Sequence, residues 1–132
     1  REGSDGTIIA YGAMLEQALA AADALKGELD VTVINARFVK PMDLEMVRDS
    51  LADGKFVVTI EEGAKMGGFG SAFTECAVAE HLDTRSIRVL ALPDEFIQHG
   101  DRGDLFDQHG LSVPKISETC REIASSSLRS SA

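Results

Sequence analysis

Four short apolar runs, Thr7-Ile8-Ile9-Ala10-Tyr11, Val31-Thr32-Val33-Ile34-Asn35, Phe56-Val57-Val58-Thr59-Ile60 and Ile87-Arg88-Val89-Leu90-Ala91-Leu92, recur roughly every 25 residues with helical patterns between them. Runs this apolar read as strands covered on both faces, and strand-helix-strand alternation is the pattern of parallel βαβ units with right-handed crossovers. The reading is a three-layer α/β/α domain with a doubly wound, mainly parallel sheet. A chain of 132 residues, 44% of them hydrophobic, can build one domain with a real core and is too short for two ordinary ones.

The connections carry their own punctuation. From Ala13, the residues Leu15, Ala18, Leu19, Ala22 and Leu25 fall at helical spacing, and Gly27 supplies a stop. Asp43 is placed to cap a helix with Leu44, Val47 and Leu51 on one face, closed by Gly54. After the third strand, Phe69, Phe73, Cys76, Ala77 and Leu82 give a helix its apolar face. Pro93 ends the fourth strand, residues 95–100 read as a short extended piece, and residues 101–108 as a turn stopped by Gly110. Ser112 and Pro114 open a last helix with Ile116, Cys120 and Ile123 inward. The domain spans 1–124, and 125–132 is a serine-rich tail expected to fray.

Composition excludes some functions. With 22 acids against 13 bases the net charge is −9, so no nucleic acid and no anionic membrane is expected as a partner. Cys76 and Cys120 lack the spacing of a metal site or redox pair and read as small buried residues of a reducing compartment. No run has membrane-span length and no signal-peptide pattern opens the chain, so a cytoplasmic location is expected. The opening, Arg1-Glu2-Gly3-Ser4-Asp5-Gly6, lacks an initiator Met yet runs at once into a strand, as in a domain cut from something larger.

In a parallel sheet every strand's C-terminal end opens on one edge. Gly12 and the loops 37–43, 61–71 and 93–100 therefore gather there. If the first strand lies between the second and third, the crevice where winding reverses falls between Gly12 and the glycine loop. That loop follows Glu61-Glu62 and contains Gly67-Gly68-Phe69-Gly70-Ser71, which has neither the spacing of a dinucleotide fingerprint nor the Lys of a P-loop. Tight strand-to-helix packing or contact with another domain is favoured over anion binding at the helix N-terminus. A positive φ at Gly68 would make valine there distort the loop. Glu61 and Glu62 point to opposite faces. His81, His99 and His109 are scattered, with only His99 on the shared edge. Phe38, Met42, Phe69 and Phe96 are large apolar residues in loops and point to a docking surface.

Three stretches resemble successive motifs of one family: Arg37-Phe38-Val39-Lys40-Pro41-Met42-Asp43, Glu61-Glu62 with Gly67-Gly68-Phe69-Gly70-Ser71, and Leu92-Pro93-Asp94-Glu95-Phe96-Ile97-Gln98-His99-Gly100. They look like the C-terminal domain of the 1-deoxy-D-xylulose 5-phosphate synthase family, over residues 6–123 and in the family's order. Two positions depart from its pattern: Gly63 stands where Asn commonly follows the acid pair, and Phe69 where a smaller residue is common.

The resemblance implies a transketolase C-terminal fold whose sheet has an antiparallel edge strand, with residues 1–3 as its stump. It implies thiamine diphosphate and Mg²⁺ held by two preceding domains and no cofactor, metal or catalytic residue in this chain. The whole enzyme would be a homodimeric transferase joining pyruvate-derived carbons to glyceraldehyde 3-phosphate, for isoprenoid, thiamine and pyridoxal synthesis. This chain would be an inactive part that docks on the missing N-terminal and central domains. The loop Glu61, Glu62, Gly67, Gly68, Phe69, Gly70 and Ser71 is the candidate interdomain or anion-binding element, and Arg37, Phe38, Pro41, Phe96 and His99 the candidate docking surface. The alternatives are the C-terminal domain of a 2-oxo acid dehydrogenase β-subunit, or a small regulatory domain binding a phosphorylated metabolite at residues 67–71.

Overall fold

The computed structural model describes residues 2–37, 39–64, 67–92 and 106–130. Strand β1 (Gly6–Tyr11) leads through a 3₁₀ turn (Gly12–Met14) into α1 (Leu15–Ala24), followed by β2 (Val31–Ala36) and α2 (Leu44–Leu51). Then come β3 (Phe56–Ala64), α3 (Phe69–Ala79), β4 (Ile87–Leu92) and α4 (Val113–Ser130). The four strands pair in parallel in the order β2-β1-β3-β4.

Alternation along the strands builds the three layers. Ile8 and Ala10 of β1, Val31 and Val33 of β2 and Phe56, Val58 and Ile60 of β3 turn to one face. There they meet Ala18, Ala21, Ala22 and Leu25 around α1 and Ile116, Cys120 and Ile123 of α4. Ile9 and Val57 turn to the other face, against Val47 of α2 and Phe69, Phe73 and Ala77 of α3. Both faces of the sheet are covered, as the apolar strand runs predict.

Asp43 caps α2 by accepting the Met46 N–H at 3.1 Å, and Gly27, Gly54 and Gly110 each hold the positive φ of a stop. The differences are local. Leu19 and Leu44 are 39% and 40% exposed; α1 instead presents Ala18, Ala21 and Ala22 inward, because alanines let the helix lie close to the sheet. Strand β3 runs past Ile60, and beyond an irregularity Ala64 pairs with Leu92. Helix α4 continues through Ser130, so the segment that composition marks as a fraying tail begins as helix, with no Gly or Pro after Pro114 to end it.

Among the described residues the sheet has no antiparallel edge strand. Gly3 lies beside β2 but exchanges its hydrogen bonds with a side chain: its N–H donates to Thr32 Oγ1 at 2.8 Å, and that hydroxyl donates to the Gly3 carbonyl at 2.9 Å. There the Thr32 hydroxyl, and not backbone pairing, ties Gly3 to β2. The extended piece at 95–100 lies outside the described residues, as does most of the 101–108 turn, whose last three residues are helical.

Candidate functional site at the carboxyl edge of the sheet

Because β1 sits between β2 and β3, the winding reverses between β1 and β3, and the crevice falls where the topology places it. Its floor is aromatic. Tyr11, at the end of β1, stacks on Phe69, at the start of α3, with ring centroids 5.4 Å apart and planes 7° from parallel. Phe73 packs behind Phe69 at 6.3 Å. Gly12 follows Tyr11 with φ +73 and open space where a Cβ would be, so the chain turns away without narrowing the crevice.

Glu61 and Glu62 have different fates. Continuing the alternation of Val57 and Thr59, Glu61 points beneath α3 and is only 2% exposed, whereas Glu62 is half-buried. Glu61 Oε2 accepts the Phe69 N–H at 2.7 Å, and Oε1 has no hydrogen-bond partner among the described residues. Burial pushes the Glu61 carboxyl above its ordinary range, opposed by the amides of Phe69 and Gly70. The first free amide of α3 already holds an anion, the protein's own carboxylate. A phosphate or diphosphate placed at residues 67–71 would meet that charge, so the loop does not fit the diphosphate of a thiamine cofactor.

The glycines divide their tasks. Gly67 takes the positive φ, +74, while Gly68 is extended at φ −88 and ψ −167; the strained position is Gly67, not Gly68. Gly70 is a matter of space: a Cβ there would lie 2.4 Å from Val89 Cγ1 and 2.6 Å from Thr59 Oγ1. The absent side chain lets α3 rest directly on β3 and β4, the packing role favoured from sequence. Ser71 follows, half-buried.

Of the candidate docking residues, Arg37 and Pro41 are exposed on the loop after β2, and Phe38, Phe96 and His99 lie outside the described residues. Phe69 is corrected: at 1% exposure it belongs to the core beneath α3, held by Tyr11 and Phe73. Met42 and Val39 are partly absorbed in the same way, packed against the α2 and α3 core. Sequence reasoning missed Tyr11, although a lone tyrosine at a strand's C-terminal end is a signal for it. His81 is an exposed turn residue with φ +60 after α3. Cys120 is buried, its thiol pushed up to about 12 by that burial, which makes it an inert core residue. Among the described residues no three His, Cys, Asp or Glu side chains are grouped to hold a metal, and no helix is long and apolar enough to cross a membrane.

Residues 1–116 match the family model described as "Transketolase, C-terminal domain". The 1-deoxy-D-xylulose-5-phosphate synthase of Rhodopirellula baltica is 66% identical over 125 residues, 95% of this chain and 20% of that protein. The enzyme of the same name from Cupriavidus metallidurans is 44% identical over 122 residues, 92% of this chain and 18% of its own length. Among solved structures, a "Split gene transketolase, inactive beta4 tetramer" superposes with a TM-score of 0.82 at 29% identity, covering 95% of this chain and 40% of that one. Transketolase from Leishmania mexicana, at 24% identity and a TM-score of 0.61, shares the fold over 90% of this chain and 16% of its own. The chain spans about a fifth of the length of the curated relatives it matches.

Proposed function

The chain belongs to the transketolase C-terminal domain family, and from that premise we propose that it is the C-terminal domain of a 1-deoxy-D-xylulose 5-phosphate synthase. The observation that carries the reading is the 66% identity to the Rhodopirellula baltica enzyme across nearly the whole chain. In this reading the other domains hold thiamine diphosphate and Mg²⁺ and carry the condensation of pyruvate with glyceraldehyde 3-phosphate, in a homodimer. This chain supplies a rim, formed by the loop after β2 and the segment that joins β3 to α3, against which those domains pack.

The geometry supports docking over chemistry at that rim. Its buried acid binds the chain's own backbone, its aromatics stack on each other, and Arg37 and Pro41 face outward. The same arrangement weighs against a phosphate-binding regulatory domain, because Glu61 fills the helix terminus such a ligand needs. The test is an assay with thiamine diphosphate, Mg²⁺ and both substrates. The 132-residue chain is expected to give no product and the full-length polypeptide to give 1-deoxy-D-xylulose 5-phosphate. Turnover by the chain alone, or a full-length protein that rejects glyceraldehyde 3-phosphate as acceptor, would overturn the reading.

A further inference from the structure

The outward side of the rim is sorted by charge. Residues 31–42, which form β2 and the loop after it, contain no acid, although the chain carries 22 acids and a net charge of −9. The two bases of that stretch, Arg37 and Lys40, are exposed and form no ion pair among the described residues. The acids around them are turned to other work. Asp43 accepts the Met46 N–H, and with Glu45, Asp49 and Glu2 it lines a groove between α2 and the sheet. Glu61 is buried on the Phe69 amide, and Glu62 is half-buried and already engaged.

The backbone under these bases is held in place. Val39 and Met42 pack on the α2 and α3 core, which pins the loop from below while Arg37, Lys40 and Pro41 stay exposed. Ala36 is the register partner of Tyr11, so Arg37 leaves β2 beside that tyrosine. The Tyr11 ring lies flat on Phe69, yet Tyr11 is only half-buried and its hydroxyl makes no hydrogen bond among the described residues. A phenol, a guanidinium and an ammonium, all donors, therefore share one edge with no acceptor of their own. Groups positioned before a partner arrives lose little freedom when it binds.

We propose that Arg37, Lys40 and Tyr11 form a carboxylate-binding surface, on which the adjoining domain of the full-length polypeptide seats an acidic segment. The proposal rests on the docking reading of the rim. A carboxylate accepts from all three groups and neutralises the two cations as it covers them. An apolar segment would bury those cations unpaired, and a basic one would meet like charge. The rest of the chain, with its excess of acids, repels an acidic segment. The two bases thus decide where on this domain the segment lands.

The test is crosslinking of the full-length polypeptide with a water-soluble carbodiimide, which joins a lysine amine to a carboxylate only where the two touch. Linked peptides are read by mass spectrometry, and hydrogen exchange is followed on residues 37–42. Lys40 should link to an Asp or Glu outside residues 1–132, and about 0.5 M NaCl should weaken the link several-fold. Arg37→Glu combined with Lys40→Glu should speed exchange in residues 37–42 about tenfold, while Arg37→Lys, which keeps the charge, should leave it near the parent's. Tyr11→Phe, which keeps the stack on Phe69, should speed it about threefold. A protected loop whose Lys40 links only to Asp43 or Glu45, or to nothing, would overturn the proposal and leave docking intact. Charge-reversed or Tyr11→Phe variants that exchange as the parent does would overturn it as well. A loop that exchanges in the full-length protein at the rate of an unstructured peptide would sink the docking reading itself, and the proposal with it.

Discussion

A methyl group at position 70 would sit 2.4 Å from Val89 Cγ1 and 2.6 Å from Thr59 Oγ1, so Gly70→Ala must push α3 away from the sheet. Overpacking of this kind costs about 1–3 kcal/mol, and a urea titration should show it, whereas Gly63→Ala, with its neighbours at 3.9 Å, should leave the midpoint nearly unchanged. Titration separates two other residues. Burial raises the folded-state pKa of Glu61 above 4.5. Its contribution is thus fully present below that value and is lost as pH rises through the raised one. Asp83 behaves oppositely: Arg85 holds its carboxyl down at about 2, so its contribution is present above 3.8 and disappears as pH falls toward 2. Glu61→Gln is therefore expected to flatten the decline in stability between weakly acid and neutral pH while leaving the strongly acid limb in place; denaturant midpoints across that range check it. The burial of Glu61 was only half legible. Alternation separates it from Glu62, but choosing the buried one requires knowing that β3 continues past Ile60 on the same pleat, and that continuation depends on pairing with Leu92, far along the chain.

At the level of elements, local chemistry was readable wherever a polar cap or a glycine marks an end. Asp43 before an amphipathic stretch predicts a capped helix, and the bond to Met46 is there at 3.1 Å. Asp43→Ala should destabilise the domain by about 1 kcal/mol and Asp43→Asn by much less, read from thermal midpoints. The face of α1 was harder, because leucines and alanines both follow helical spacing and only the sheet decides which row fits close against it. Leu19 lost that contest and Ala18, Ala21 and Ala22 won it. Truncation should report the difference: Leu19→Ala on α1 is expected to be nearly silent, while Ile116→Ala, wholly buried on α4, should cost about 2–5 kcal/mol.

For the molecule as a whole, the parallel pairing followed from alternating strands and helices joined by right-handed crossovers, whereas the place of β1 between β2 and β3 entered only as a condition and is supplied by the structure. What such reasoning does not specify is how the sheet ends. At β4 the answer lies in one side chain: Arg88 Nη1 donates to the carbonyls of Arg85 and Ile87 at 3.0 and 2.9 Å. Alternating carbonyls along a strand point to opposite sides. The Val57 amide takes the Ser86 carbonyl at 2.8 Å on the β3 side, so the Ile87 carbonyl faces outward. Arg88 thus folds over the edge that no described strand pairs with and occupies acceptors that another strand would otherwise take. Arg88→Ala should expose them and increase concentration-dependent association in sedimentation velocity. The charge argument sharpens the test: the variant is one unit more acidic than a chain already at −9, so electrostatic repulsion between copies rises. Association that nevertheless increases must come from the uncovered edge, and a variant as monodisperse as the parent would mean that Arg88 does not guard it.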